Sequence, residues 1–520
     1  MANAIKPAHE KEFLGHPVGL YILFLTEMWE RFSYYGMRGI LVLYLTAQTV
    51  GDNPGLGWLE GEALALYGWY TMLVYVASIP GGIIADKIIG QKRAVMVGGI
   101  LLVMGHGILS VEEMWAFYTG LGLIVSGVGM LKPNISTLVG GLYKLGDERR
   151  DKGFSIFYIG INVGAALAAL VVAVIADLYG WHAGFGLAAI GMVLGQVVYM
   201  SGQKYLKHVG NKPEIADNKD SDDVTISQLF KNLITTKVPA VVTGLLAAFS
   251  VYWAVMKDWA YGLFFIFLSI VVGFMIAIYH DLKSRVERDR FVVLLLSFII
   301  VIVFWGAFEQ AGGLMNLYAN NRTDRMLLGY EIPAAVFQFF NPFYIILFAV
   351  PVANFWMWWK YRGKEASSLF KMANGVIIMG LGFVFMVFAT MQYESLGKSA
   401  MYWLVLAYLF HTIGELCASP VALSFITKLA PVRYGALMMG VYFAATGLGN
   451  KVAGIIGETA TEGEGGELNV FAGITIFCVI FGLLVILLLK PLKRLTHKAE
   501  DLRRGTTDEE SEGFELADNQ

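Results

Sequence analysis

EMWERFSYYGMRG, residues 27–39, lies inside the first long apolar run of the chain. Two glutamates, two arginines and two tyrosines stand where a bilayer-spanning segment normally carries Leu and Val. Glu27, Glu30, Arg31, Tyr34, Tyr35 and Arg38 are spaced i, i+3, i+4, i+7, i+8 and i+11. On an α-helix they fall within an arc of roughly 140°. Trp29, Phe32 and Gly36 take the opposite side. The polar residues thus form one stripe, which must face a cavity or another polar helix. A charge at the bilayer centre costs about 2.5–3.5 kcal/mol even on insertion scales, so four of them in one segment need a use. A salt-bridge network that only locks helices together is the plain alternative, and the rest of the chain decides between the two.

The chain has 520 residues, 57% hydrophobic and 15% charged, with 59 glycines and a mean hydropathy of +0.60. That is too little charge to cover the surface of a soluble protein of this length. Apolar runs long enough to cross a bilayer recur from end to end. They lie near 18–45, 62–84, 94–111, 114–140, 153–177 and 183–202, then 238–257 and 259–280, then 291–319, 333–359, 369–391, 399–428, 434–457 and 468–490. The expected fold class is an all-α polytopic membrane protein with these fourteen helices.

Lys and Arg set the expected orientation. The connections DKIIGQKR (86–93), KSRVERDR (283–290) and KYRGK (360–364) are basic, whereas GDNPGLGWLEGE (51–62) and GETATEGEGGE (457–467) carry neither residue. The basic connections belong in the cytoplasm, and both termini with them. The start of the chain shows no apolar signal core. Net charge is −2, which gives no reason to expect nucleic acid as a partner. Cys417 and Cys478 fall in apolar runs and suggest neither a disulfide nor a metal site. No cofactor is expected.

The longest polar segment, 203–237, contains NKPEIADNKDSDD and separates six helices from the rest. The expected organisation is a cytoplasmic N-terminus (1–17), a six-helix bundle (18–202), a cytoplasmic linker (203–237), an accessory helical hairpin (238–281), a second six-helix bundle (291–490) and a cytoplasmic acidic tail (491–520). The hairpin is nearly devoid of polarity apart from Lys257 and Asp258 at its turn, which suggests a lipid-facing accessory. The part of the tail after Lys498 is expected to be unstructured. Two bundles of six suggest a transporter with its site between the halves at mid-membrane depth.

Polar residues recur mid-span elsewhere, which favours the cavity. Lys132 precedes a proline in GMLKPNIS, Asn162 lies in FYIGINVG, and Glu309 and Gln310 in FWGAFEQAGG. Gln338 and Asn341 lie in FQFFNPFY, and Glu415 and Ser419 in GELCASP. Both halves contribute, as a central binding site requires. Its cations (Arg31, Lys132) and its acid (Glu415) suit a zwitterion with separated amine and carboxylate. Tyr35, Tyr75, Trp305 and Tyr442 are candidates for a lining around variable side chains. A carboxylate that makes and breaks contact with Arg31 or Lys132 changes its proton affinity each time, so protons are the expected coupling ion. None of the histidines stands at ligand-pair spacing. His411, inside an apolar run, suggests a structural role.

EMWERF resembles the ExxER signature of the proton-dependent oligopeptide transporter family within the major facilitator superfamily. PGGIIADKIIGQKRA (80–94) resembles that family's loop between its second and third helices, and FSIFYIGINVG (154–164) its fifth-helix signature. GMLKPN, FEQ, NPF and GELCASP follow in order, so the resemblance covers about residues 18–490. It implies a major facilitator fold of two six-helix bundles, with the extra helix pair of bacterial members, in the bacterial inner membrane. It implies symport of protons with di- and tripeptides. Arg31 and Lys132, with Tyr34 and Tyr35, would meet the peptide carboxylate. Asn162, Asn341 and Glu415 would meet its amino terminus, with Ser419 one turn further on. Glu27, Glu30, Arg31, Lys132 and Glu309 would form the proton-coupling network. Arg38 and Glu309 would form an external salt bridge that opens on protonation. Two departures stand out: Tyr442 replaces the family's usual tryptophan, and Gly68 in YGWYTMLVY replaces the second-helix histidine of animal members. A monomer or weak oligomer in the lipid bilayer is expected.

Three other readings compete. A membrane hydrolase wants a nucleophile–base pair that these residues lack. A passive channel fits poorly with unlike charges at the two ends of the site. Within the family, nitrate or another small solute is the alternative cargo.

Overall fold

The computed structural model describes residues 11–499 except 145–146, 148, 212–225, 257 and 462–465. Most of NKPEIADNKDSDD, Lys257, the middle of the 457–467 connection and residues 500–520 of the acidic tail lie outside the described residues, as does the start of the N-terminus.

Twelve helices among the described residues are long and apolar enough to cross a membrane. In chain order they are α2 (Glu60–Ile89), α3 (Gln91–Leu109), α4 (Met114–Gly141), α5 (Arg149–Tyr179), α6 (Trp181–Ser201), α7 (Lys237–Met256), α8 (Trp259–Asp281), α9 (Arg285–Asn321), α10 (Ala334–Tyr361), α11 (Ser368–Leu396), α12 (Tyr402–Leu429) and α14 (Gly466–Leu487). Two more are equally long but more polar: α1 (Val18–Thr46) and α13 (Gly435–Ala460). In α1 the cause is the charged stripe. In α13 it is glycine together with Asn450 and Lys451. Twelve and two make the fourteen expected helices. Because the helices alternate in direction, the first and last described residues, Lys11 and Ala499, lie at one end of the molecule, here called the near end. The connections 47–59 and 322–333 lie at the far end.

α1–α6 form one bundle and α9–α14 without α7 and α8 the other. Glycines let corresponding helices of each bundle cross closely. A Cβ on Gly98 of α3 would come within 2.7 Å of the Gly127 carbonyl of α4, and one on Gly414 of α12 within 2.7 Å of the Gly375 carbonyl of α11. Trp29 and Phe32 of α1 pack over Gly195 and Gly191 of α6. Gly36 departs from that expectation. It borders the central cavity, and its lack of a side chain lets Val172 of α5 pack against α1, where a Cβ would come within 2.6 Å of the valine.

The structure departs from the sequence expectations in four further places. The run 291–319 is not one continuous helix: α9 tightens over Glu309–Ala311 and restarts at Leu314 after Gly312 and Gly313. α10 begins as a tight 3-10 segment over Ala334–Phe339. The linker 203–237 contains a short helix, Ile226–Thr235, as the spacing of Ile226, Leu229 and Leu233 permits. Finally, Asp258 is a helix cap, accepting from the backbone N–H of Ala260 at 2.8 Å and of Tyr261 at 3.0 Å. The hairpin it turns is only half lipid-facing. α7 is largely exposed, while α8 packs through Phe264 against Met72 of α2 and Leu448 of α13.

Candidate functional site

A central cavity of about 260 Å³ lies between the bundles. Its wall on the first half includes Arg31, Tyr35, Tyr75, Lys132 and Asn162. On the second half it includes Trp305, Asn341, Glu415, Ser419 and Tyr442. Ten of the eleven expected substrate contacts therefore share one space. The eleventh, Tyr34, does not line it. Tyr34 is buried, with its ring edge-on to Tyr35 at 5.4 Å between centroids. The helical arc is wide enough to hold two faces, and Tyr34 belongs to the one turned away from the cavity.

One pole of the cavity is cationic and braced from behind. Arg31 Nε donates to Glu27 Oε1 at 2.7 Å and lies 3.0 Å from Glu30 Oε2. Both glutamates are almost wholly buried and neither lines the cavity. They act on its contents by bracing Arg31 and through their charge beside Arg31 and Lys132. The Lys132 ammonium rests 3.6 Å from the centre of the Tyr75 ring, a cation–π contact that holds the amine in the cavity wall. Pro133 directly after it removes a backbone donor from α4.

The opposite pole is acidic. Asn341 Nδ2 donates to Glu415 Oε2 at 2.8 Å and to Thr412 Oγ1 at 3.1 Å. Among the described residues no Lys or Arg forms a salt bridge with Glu415. A buried carboxylate without a cation is costly, so this pole favours an incoming ammonium. Tyr158, four residues before Asn162 on the same face of α5, also lines the space and is 41% exposed. Sequence reasoning passed over Tyr158 and Thr412, although i, i+4 spacing from Asn162 and i, i+3 spacing from Glu415 pointed to each.

The far end of the cavity is sealed by bonds between the halves. Arg38 Nη1 donates to both carboxylate oxygens of Glu309 at 2.9 Å, and Tyr67 OH donates to Oε2 at 3.0 Å. Glu309 stands where α9 tightens, so its side chain leaves the helix at the break. Nearby, Asn316 Nδ2 donates to the Gly39 carbonyl at 2.8 Å, and Asn321 Nδ2 to Glu60 Oε1 at 2.8 Å. α2 and α13 cross so closely that a Cβ on Gly68 would meet Gly454 Cα at 2.9 Å. A histidine at position 68 has no room here. His411, by contrast, lies away from the site, buried with its ring 4.4 Å from that of Phe383.

The POT family model matches residues 92–471. Over 512 residues the chain is 37% identical to the peptide transporter YePEPT of Yersinia enterocolitica, covering 94% of this chain and 97% of that one. Over 498 residues it is 34% identical to a di-/tripeptide transporter of Lactococcus lactis, covering 94% and 98%. Its fold is similar to that of a peptide transporter POT crystallised with sulfate, with a TM-score of 0.80 and 36% identity over 94% of this chain and 97% of the other.

Proposed function

The chain belongs to the POT family, and from that membership and the cavity we propose that it imports di- and tripeptides together with protons by alternating access. The observation that carries this reading is the pair of opposed poles. Arg31 and Lys132 face one side of a single space, with Asn341 and Glu415 on the other. A free peptide is a zwitterion whose two ends need both. Its carboxylate is assigned to Arg31 and Lys132, with Tyr35 beside them, and its ammonium to Glu415, Asn341 and Asn162. Tyr75, Trp305, Ser419 and Tyr442 surround the side chains. Sequence-tolerant recognition follows, because the charged contacts are to parts that every peptide shares. The process involves no bond-breaking step, and the cavity belongs to one chain, which supports a monomeric working unit.

Coupling follows from charge balance in a low-dielectric place. With Glu27, Glu30, Arg31 and Lys132 all ionised, this pole is neutral. A peptide carboxylate makes it −1, and a proton on one of the glutamates restores neutrality. Buried net charge costs several kcal/mol per ion, so proton and carboxylate favour each other's binding. The basic connections support a near end, with both termini, in the cytoplasm of a bacterial inner membrane. The structure then corresponds to the state closed to the outside. Protonation of Glu309 would cancel its pairing with Arg38 and release the far end. Uptake of a panel of di- and tripeptides, free amino acids, tetrapeptides and nitrate into proteoliposomes tests the cargo. We expect transport of di- and tripeptides alone, with Glu415→Gln failing on free peptides and retaining more activity on amine-blocked ones. Equal loss on both would remove Glu415 from the substrate site.

A further inference from the structure

Asn341 has two amide hydrogens, and both are taken up by α12. One goes to Glu415 Oε2 at 2.8 Å and the other to Thr412 Oγ1 at 3.1 Å. Thr412 is fully buried, one helical turn before Glu415, and its own hydroxyl donates to the Tyr408 carbonyl at 2.7 Å. With that proton committed, the Thr412 oxygen has only lone pairs to offer Asn341. An ionised Glu415 likewise only accepts. Two acceptors beside the nitrogen leave one orientation for the amide. Nδ2 points to α12, and Oδ1 lies on the other side, towards the cavity.

We propose that Thr412 is a positioning residue for the peptide amine: it fixes the Asn341 amide so that Oδ1 joins Glu415 as a second acceptor for the ammonium. This rests on the amine assignment made above. Thr412→Val keeps the shape and removes the acceptor, freeing the amide to turn and present a donor to a cation. We expect KM for free-amine dipeptides to rise about tenfold, the effect of one unmet buried hydrogen bond, with KM for N-acetylated dipeptides unchanged. Thr412→Ser, which keeps the oxygen, should restore the wild-type ratio. If wild type prefers free over acetylated peptides, Glu415→Gln abolishes that preference, and Thr412→Val retains it in full, then the Thr412 role fails while the amine site stands. If wild type shows no preference, both fail. Equal losses on both peptide classes, with a lowered melting temperature, would make Thr412 structural and overturn the proposal.

A separate observation concerns the accessory pair. α8 is tied near both of its ends to α13 or to the turn that leads into it. At the far end Tyr261 OH donates to Glu458 Oε2 at 2.7 Å, and at the near end Tyr434 OH donates to Asp281 Oδ2 at 2.6 Å, with Arg433 Nη2 3.4 Å from the same oxygen. Between these ties Phe264 of α8 lies edge-on to Trp69 of α2, 6.2 Å between centroids. Lys451 of α13 is wholly buried at the same junction. Its ammonium is 4.8 Å from the Trp69 ring centre, 5.1 Å from that of Tyr261 and 3.5 Å from Glu458 Oε1. One buried charge thus touches the first half, the second half and the accessory pair together.

The α2–α13 seam, where Gly68 meets Gly454, must part whenever the far end opens. α8 would then stay with α13, held by polar bonds, and give up its ring contacts with α2. We infer that the accessory hairpin is a splint that favours the closed seam, with Lys451 as its pin. Lys451→Met and Phe264→Ala should each move molecules toward the far-end-open state. Spin labels at Val50 and Leu396, both exposed at the far end, report the change as a longer distance population. We expect the open-to-closed ratio to rise roughly 30-fold in Lys451→Met, the size of a desolvated cation–π contact, and by less in Phe264→Ala, with peptide counterflow retained in both. An unchanged distance distribution in both variants, or a shift toward the closed state, would overturn the inference.

Discussion

Glu309→Gln is the most informative single change. In the wild type, Arg38 gives two hydrogen bonds of 2.9 Å to the Glu309 carboxylate and Tyr67 a third of 3.0 Å, with Arg38 8% and Glu309 2% exposed. Removing one charge of such a pair leaves the other buried and uncompensated, at a cost of about 3–5 kcal/mol. The glutamine oxygen still accepts one bond, which returns about 1 kcal/mol. The closed far end therefore loses about 2–4 kcal/mol relative to the open one, where Arg38 meets water. At about 1.4 kcal/mol per factor of ten, that is a shift of roughly 30- to 700-fold. If about one wild-type molecule in a hundred is open at the far end, roughly a quarter to nine-tenths of the variant molecules would be. The Val50–Leu396 label pair measures this directly. Transport should split in parallel: proton-driven accumulation is lost, and counterflow, which moves no net proton, remains. A variant with the wild-type distance distribution and intact accumulation would refute the gating role. Loss of counterflow together with a collapsed melting temperature would reduce Glu309 to a fold-stabilising residue.

Tyr67→Phe removes one bond to the same carboxylate, worth about 1.5–3 kcal/mol, and should shift the label distances in the same direction by less than Glu309→Gln. An unshifted distribution would exclude Tyr67 from the gate. Tyr442→Trp places a larger ring in a cavity of about 260 Å³. Overpacking costs about 1–3 kcal/mol, so competition assays should show bulky peptides losing affinity relative to dialanine, and equal losses would contradict this. At the near end, outside the spans, burial raises the Glu365 carboxyl, but hydrogen bonds from Lys493 and Ser367 outweigh it and lower it from 4.5 to about 2. Its hold on the helix Leu489–Leu495 is therefore complete above about pH 4.5 and is lost as the pH falls toward about 2. A spin label at Lys490 should become mobile only at the acid end, and in Lys493→Ala already at neutral pH. Mobility independent of both would contradict the anchor.

Much of this site is legible in the sequence because the membrane makes polarity expensive. Arg31, Lys132, Asn162, Glu309, Asn341 and Glu415 stand out against their apolar runs, and each is either in the cavity or in its far-end seal. The pairing of Arg38 with Glu309 is implied by the family resemblance and not by spacing, and the structure contains it. Periodicity resolves less well. A stripe of roughly 140° cannot tell the cavity face that bears Arg31 from the buried face of Tyr34, nor that Glu27 and Glu30 stand behind Arg31. The break in α9 at Gly312 and Gly313 is hidden by an apolar run that continues through it. Thr412 and Tyr67 are chemically common residues; spacing puts Thr412 beside Glu415, but that it meets Asn341, and that Tyr67 meets Glu309, follows only from how the helices pack. Lys451 is the clearest omission. It is as costly a charge as Lys132, and besides Glu458 on its own helix its partners are rings from α2 and α8, elements that the sequence alone gives no reason to bring together.

Proton–peptide coupling is the centre of the account, and one measurement bears on it most directly. Purified protein in liposomes, loaded with a pH-sensitive dye, is given a labelled dipeptide under an imposed pH gradient, an imposed membrane potential, both, or neither. About 1.4 kcal/mol is available per pH unit and about 2.3 kcal/mol per charge per 100 mV. One proton can therefore sustain a peptide gradient of several-hundred-fold. The account predicts accumulation under either gradient, larger under both, with the lumen acidifying as peptide enters. Equal peptide levels inside and out under every condition, with no acidification linked to peptide, would contradict it.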